Sequence, residues 1–195
     1  MQITQVLLAK YRLGQVRRDD GAAPLAQKLP DPALSLEAFQ QAIMTGEVIL
    51  DSGSVDPDLY VLRDQPARGC PRFTFARIRE DATVTAFAVA ILAEPLEGLP
   101  CFQIGYAVPK RFQKQGRAKA IVDAALAELQ NDLADAIPEY FVAAVVSADS
   151  PISQAVASAS ISARPQVVID QSSNVPAFQY MRKFGSQAPD LLSSG

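Results

Sequence analysis

Histidine and tryptophan are absent from this 195-residue chain, and cysteine occurs only twice. The lack of histidine removes the side chain most often used as a general base near neutral pH, and a common metal ligand. Proton transfer then falls to carboxylates, to water chains or to groups with displaced pKa values. The two cysteines, Cys70 and Cys101, show no metal-binding spacing, so the sequence predicts no metal site and a reducing compartment. Cys101 opens a strand-like run and reads as core rather than nucleophile, since no histidine exists to activate it. Aromatic residues make up only 7% of the chain, which leaves Ala, Val, Leu and Ile to build the interior. No apolar run approaches the ~18 residues of a membrane span. The segment Met1–Lys10 has no basic region before its short apolar stretch, so it reads as mature protein, and a cytoplasmic location is expected. Eighteen basic residues against 21 acidic ones give a net charge of −3. That balance argues against a duplex-DNA binder.

What the chain does have is a local concentration of positive charge. Lys110, Arg111, Lys114, Arg117 and Lys119 fall within ten residues, between a strand-like run (Cys101–Val108) and a helical pattern. Pro109 removes a ladder donor, so strand pairing is expected to stop or splay there. From Ala118 to Leu133 the apolar residues Ile121, Val122, Ala125, Leu126, Leu129 and Leu133 recur at helical spacing, with Asp123, Glu128, Asn131 and Asp132 expected on other faces. A helix start carries unpaired N–H groups and the positive end of the peptide dipole. Gly116 leaves room for an oxygen to approach the backbone, and Ala118 keeps the next turn small. The arrangement suits a pyrophosphate. A solvated basic loop is the plain alternative. A single-stranded RNA patch is the poorer one, because few aromatics interleave with the charges.

The turn Gln113-x-x-Gly116-x-Ala118 resembles the acetyl-CoA signature of the GNAT N-acetyltransferase superfamily, Gln/Arg-x-x-Gly-x-Gly/Ala, at all three defined positions. Val108 stands where that family's strand contacts the pantetheine arm through its backbone. The Ile104-Gly105-Tyr106 start looks like the branch that acetylates ribosomal-protein N-termini and related amines. The resemblance covers about Arg72 to Phe184. It implies an α/β (α+β) fold with a mixed, mostly antiparallel central sheet, flanking helices and an opening between two sheet halves at Val108. It implies acetyl-CoA (coenzyme A) as cosubstrate, held by Val108, Gln113, Lys114, Gln115, Gly116, Arg117, Ala118 and, on a later helix, Ser153. The implied partner is a small-molecule or peptide amine. No nucleic acid or membrane is expected, and a homodimer is an option because relatives are often dimers.

The chain also departs from the pattern. Relatives often carry a tyrosine four residues beyond the Ser153 position as general acid for the thiolate, and here that residue is Ala157. Gln103 stands where relatives often have Glu. No catalytic residue is assigned. Glu80, Asp81, Glu94 and Glu97 are the carboxylates placed near the acceptor side, each with a solvated loop charge as its plain reading. Two functions from different classes therefore stay open: acyl-CoA-dependent N-acyltransfer by direct attack in a ternary complex, and a degenerate CoA-binding or protein-interaction module without turnover.

Along the chain, residues 1–70 are expected to form an N-terminal segment that walls the acceptor side and adds a strand. Residues 71–185 form the acyl-CoA-binding core, and 186–195 a flexible tail. Residues 1–18 suit a short helix or an edge strand, and 19–34, with Gly21 and three prolines, a linker. A helix is expected from Leu34 to Met44 with Ser35 as cap and a stop at Gly46. A short strand follows at 59–62, and a hairpin with arms at 72–79 and 84–92. A loop is expected from Glu94 to Pro100, then a buried strand at Tyr140–Val146. Ser150 and Pro151 read as the cap and first residue of a helix with Ile152, Ala155, Val156 and Ala159 on its apolar face. Residues 166–170 and 177–182 complete the pattern as antiparallel strands.

Overall fold

The computed structural model describes residues 29–67, 70–170 and 173–185. The expectations for residues 1–28 and for the 186–195 tail lie outside the described residues. The first helix among the described residues, α1, spans Pro32–Thr45 and stops at Gly46 as expected, but it starts two residues early. Its cap is Asp31 rather than Ser35. The Asp31 carboxylate accepts from the Ala33 and Leu34 N–H groups at 2.8 and 3.1 Å, and Pro32 takes the first helical position.

Strands β1 (Asp51–Ser52), β2 (Tyr60–Ala67), β3 (Cys70–Ile78), β4 (Val84–Leu96) and β5 (Leu99–Ala107) follow. The hairpin around Glu80 and Asp81 is present. The loop expected over Glu94–Pro100 is absent. β4 and β5 instead reverse through Glu97-Gly98, both left-handed at φ 51° and 77°. A turn with both central residues left-handed matches the twist of its strands, so the ladder runs to its edge. Helix α2 (Arg117–Leu133), β6 (Glu139–Ser147), α3 (Pro151–Ser160), β7 (Gln166–Ile169) and β8 (Pro176–Gly185) complete the described chain.

The strands form one sheet in the order β1-β2-β3-β4-β5-β6-β8-β7, antiparallel except between β5 and β6. This is the mixed, mostly antiparallel sheet with flanking helices that the resemblance implied. β1 and β2, from the segment before residue 70, pair into that same sheet. On one face α2 and α3 cover Phe73, Phe75, Phe102, Ile104 and Val142. On the other, α1 lays Leu36 and Phe39 over Phe87, Val89 and Ile91, with the Phe39 and Phe87 rings 5.5 Å apart.

All six apolar α2 residues that the spacing selects are buried. Two acidic ones are buried as well, against expectation: Glu128 is fully buried and Asp132 nearly so. The cause lies in β2 and the segment before it. Arg63 donates to both Asp132 oxygens at 2.8 and 3.0 Å and to Glu128 at 3.2 Å. Glu128 also accepts from the Ser54 and Val55 N–H groups at 2.7 and 2.9 Å. Burying a charge is tolerable only when it is paired and hydrogen-bonded in this way.

The buried face of α3 also differs from the expected one. Ile152 is 68% exposed, Ala155 and Ala159 face solvent, and Ala157 and Ser160 are buried. A helix of ten residues rich in Ala and Ser has so little apolar contrast that packing, not pattern, sets its rotation.

The Arg63 cluster generates a stability prediction. Arg63→Ala leaves two buried carboxylates without their cation, and it is expected to cost about 3 to 5 kcal/mol of unfolding free energy in urea titration. A loss under about 1 kcal/mol, the value of an exposed pair, would show that the cluster is not load-sharing.

Candidate functional site

β5 and β6 pair only at Cys101↔Phe141, Phe102↔Val142 and Gln103↔Ala143. β5 nevertheless runs to Ala107, paired with β4, and β6 to Ser147, paired with β8. The sheet therefore opens after Gln103 and Ala143, ahead of the Val108–Pro109 position the sequence suggested. Tyr106 lies on β5 beyond that point. Its half-buried ring extends from β5 toward α3, and its hydroxyl donates to the Ser153 carbonyl at 2.6 Å. This contact links β5 to α3 beyond the point where the β5–β6 ladder ends.

The chain leaving β5 folds into a compact basic turn. A single turn of 3-10 helix, Lys110–Phe112, follows Pro109. The Gln113 side-chain amide donates to the Val108 carbonyl at 2.9 Å, so this motif residue ties the turn to the strand end from within. Lys114 is left-handed at φ 58° and exposed. Gly116 is the N-cap of α2 at φ 73°, where it offers no capping side chain. A Cβ built on Gly116 meets nothing within 4 Å, so the space above the backbone is open. An open, uncapped helix start beside a basic turn fits an anionic oxygen.

The five basic residues do not converge on one point. Lys119 pairs with Asp123 one helical turn on, at 2.5 Å. Arg117 turns toward β4: its Nε donates to Gln115 Oε1 at 3.0 Å and an Nη to Thr85 Oγ1 at 3.2 Å. The Phe112 ring carries the Arg111 and Arg117 guanidinium groups at 4.7 and 5.3 Å, which stiffens the turn. Lys110, Arg111 and Lys114 remain exposed on the turn itself. Val108, Gln113, Lys114, Gln115, Gly116 and Ala118 thus form one contiguous unit. Ser153 stands on the far side of the opening, joined to it through Tyr106, and the Arg117 side chain leaves the unit.

Ser150 is the N-cap of α3 but its hydroxyl makes no capping bond. The Gln154 amide instead donates to the Ser147 and Ala148 carbonyls at 3.0 and 2.9 Å. Ala157, where relatives often have tyrosine, is fully buried, so a larger side chain there would have to displace its neighbours. The Tyr106 hydroxyl meets the Ala157 backbone N–H. Burial raises its phenol pKa, the neighbouring Tyr180 adds to the rise, and the Ala157 backbone N–H opposes it. The phenol therefore stays protonated as a fixed donor and is a poor proton source.

Glu94 and Glu97 sit at the β4–β5 turn, the opposite end of the ladder from Ala107, so they do not approach the opening. Asp81, in the exposed β3–β4 turn, is held below the usual carboxylate range by hydrogen bonds from Thr83. Sequence reading passed over Asp149, two residues after the end of β6, which lies exposed in the loop to α3, at the open end. Its place just beyond a buried strand was the available signal. Burial pushes the Cys101 thiol up to about 11 and raises that of Cys70, in keeping with core roles. Among the described residues no group of His, Cys, Asp and Glu is placed to hold a metal ion, and no helix is long and apolar enough to cross a membrane.

No protein-family model matches the chain, and no curated protein matches it. Solved structures do. A spermidine N-acetyltransferase chimera from Vibrio cholerae and hSSAT is 8% identical over 57% of this chain and 66% of its own, with TM-score 0.43. The ribosomal α-N-protein acetyltransferase RimL, in complex with coenzyme A, is 16% identical over 58% of this chain and 61% of its own, with TM-score 0.40. A GNAT-family acetyltransferase from Streptococcus pneumoniae is 11% identical over 82% of this chain and 99% of its own, with TM-score 0.42. This chain spans just under two thirds of the first two.

The left-handed Gly116 generates a second prediction. A non-glycine residue in that conformation costs about 1 to 2 kcal/mol, while the open space above it imposes no clash. Gly116→Ala is expected to lower unfolding free energy by about that amount in denaturant titration. A neutral result would mean the turn relaxes to a different backbone.

Proposed function

We propose that this chain is an acetyl-CoA-dependent N-acyltransferase of the GNAT type that acts on a primary amine by direct transfer in a ternary complex. The observation that carries the reading is the coincidence of two features: the opening between β5 and β6, and the uncapped Gly116 start of α2 at its mouth. The likenesses to solved acetyltransferases stand beside this reading and supply no step of it.

Acetyl-CoA supplies an activated thioester to a chain that binds and orients it. The N–H groups at the start of α2 face the pyrophosphate, with Lys110, Arg111 and Lys114 adding charge at the rim. β5 stops pairing at Ala107, so the backbone at Val108 is free to meet the pantetheine arm and to donate toward the thioester oxygen. Gln113 keeps Val108 in register with the turn. The acceptor nitrogen attacks the thioester carbon, and the C–S pair departs with sulfur.

Proton handling is sparse. β5, the turn, β6 beyond Glu139, and α3 contain neither histidine nor a carboxylate. Among the described residues of the β6–α3 loop, Asp149 is the exposed carboxylate at the mouth. Tyr106 positions α3 without giving up its proton.

Two measurements test the reading together. Acetyl-CoA is expected to bind in calorimetric titration, and Gly116→Glu, which adds bulk and a like charge, to weaken it at least about tenfold, or 1.4 kcal/mol. Thiol release is expected with at least one amine from a panel of polyamines and N-terminal peptides. No binding at millimolar acetyl-CoA removes the proposal. Binding without release on any amine replaces it with the binding-module reading that buried Ala157 and the absent histidine favour.

A further inference from the structure

A cavity of about 390 Å³ lies on the flank of α2 away from the opening. Its lining comes from Pro57 and Asp58 before β2, the start of β2, the end of β3, the start of β4 and the first turn of α2, and none of it from β5, β6 or α3. Three guanidinium groups, Arg77, Arg79 and Arg117, face it with a single carboxylate, Asp58, beside the Tyr60 ring. The charges are unequally compensated. Arg77 is engaged by Asp56, whose carboxyl it holds below the usual range. Arg79 is mostly exposed and lies 3.9 Å from Asp81. Arg117 is held by the neutral oxygens of Gln115 and Thr85, and among the described residues no carboxylate lies within ion-pair distance of it. The wall is therefore rich in donors, and Arg117 is a lining guanidinium with no carboxylate at ion-pair distance among the described residues.

We propose that this cavity is a second ligand site, separate from the opening, which takes one oxyanion group of a small ring-bearing molecule. Arg117 provides the balancing charge. Its guanidinium is already fixed in direction by Gln115, Thr85 and the Phe112 ring, so little rotamer freedom is lost on binding. Arg79 adds a second, exposed fork from the rim, and bidentate geometry favours carboxylate or phosphate over a spherical anion. Tyr60 supplies an aromatic surface for the ring. The volume is that of a small-molecule site. The site stands whether or not the chain transfers acyl groups, because it shares with the opening only the residue Arg117.

The test is a titration of the full chain with phenyl phosphate and, separately, benzoate to ~10 mM, read by amide chemical shifts in NMR. The two probes distinguish a phosphate from a carboxylate ligand. Saturable shifts are expected at Tyr60, Arg79, Thr85 and Arg117 with at least one probe. The Arg79→Gln and Arg117→Gln double variant is expected to weaken binding at least about tenfold. Arg79→Gln alone, which changes an exposed side chain, decides the matter if the double variant misfolds, and is expected to weaken binding measurably. The proposal is overturned if neither probe gives saturable shifts. It is also overturned if the shifts fall on residues 113–116 and 150–153 instead, or if the variant that folds binds as wild type does.

Discussion

Among the described residues, three residue pairs join β5 to β6 and so the two halves of this sheet. β5 and β6 run parallel for Cys101 to Gln103 against Phe141 to Ala143 and then part, while each stays paired to its outer neighbour. The halves cannot drift, because those outer ladders and the helices above them fix each one. Beyond the parting, Tyr106 ties β5 to α3 through its hydroxyl, which donates to the Ser153 carbonyl. Every backbone N–H and C=O left without a ladder partner in such an opening needs water or another polar group. An opening of that kind, with a helix start at its mouth, is a standing demand for polar ligands. The Proposed function rests on that demand rather than on any single side chain.

The opening keeps its shape because α2 is anchored far from it. Arg63, Glu128 and Asp132 tie the far half of α2 to β2, and Glu128 also captures the Ser54 and Val55 amides. Gly53 belongs to the same device: a Cβ there would lie 2.5 Å from the Asp56 carbonyl and 3.1 Å from Glu128. Hydrophobic burial alone would hold α2 on the sheet but would leave its rotation and slide less defined. A buried fork between an arginine and two carboxylates has few alternative registers. The anchor therefore fixes where the N-terminus of α2 stands, though it lies three turns away.

The legible parts of this chain are those where one local pattern has one reading. The α2 periodicity, the β3–β4 hairpin, the buried β6 and the β7–β8 pair follow from spacing and turn residues. The missed parts depend on partners distant in sequence. Glu128 and Asp132 look like solvent residues because their arginine lies some 65 positions earlier, in β2. Ser35 and Asp31 are equivalent caps on paper, and Pro32 selects Asp31 only once the helix is allowed to begin before Leu34. Glu97-Gly98 reads as part of a loop because Pro95 and Pro100 flank it, yet it reverses the chain within a continuous ladder. The turn motif was legible as a motif, but not the inward use of Gln113 or the outward swing of Arg117, since both follow from which acceptor happens to stand nearby.

The scarcity of acid–base groups around the opening bears on how such a site could work at all. A thiolate is a far better leaving group than an alkoxide, since a thiol ionises near pH 8.5 while water does so near 15.7. Departure of sulfur thus needs no protonated side chain poised against it. What the reaction needs is an amine in its neutral form, close to the thioester carbon and aligned with it, and holding reactants in that geometry is worth several kcal/mol by itself. Under the proposed function, three contacts would serve that geometry. Gln113 latches the strand end, Phe112 stiffens the turn between two guanidinium groups, and Tyr106 sets the distance from β5 to α3. Tyr106 suits that part because burial keeps its phenol neutral, so the bond that holds α3 does not change with pH across the working range. A site built from such fixed donors would gain its rate from position and lose little from the absence of histidine.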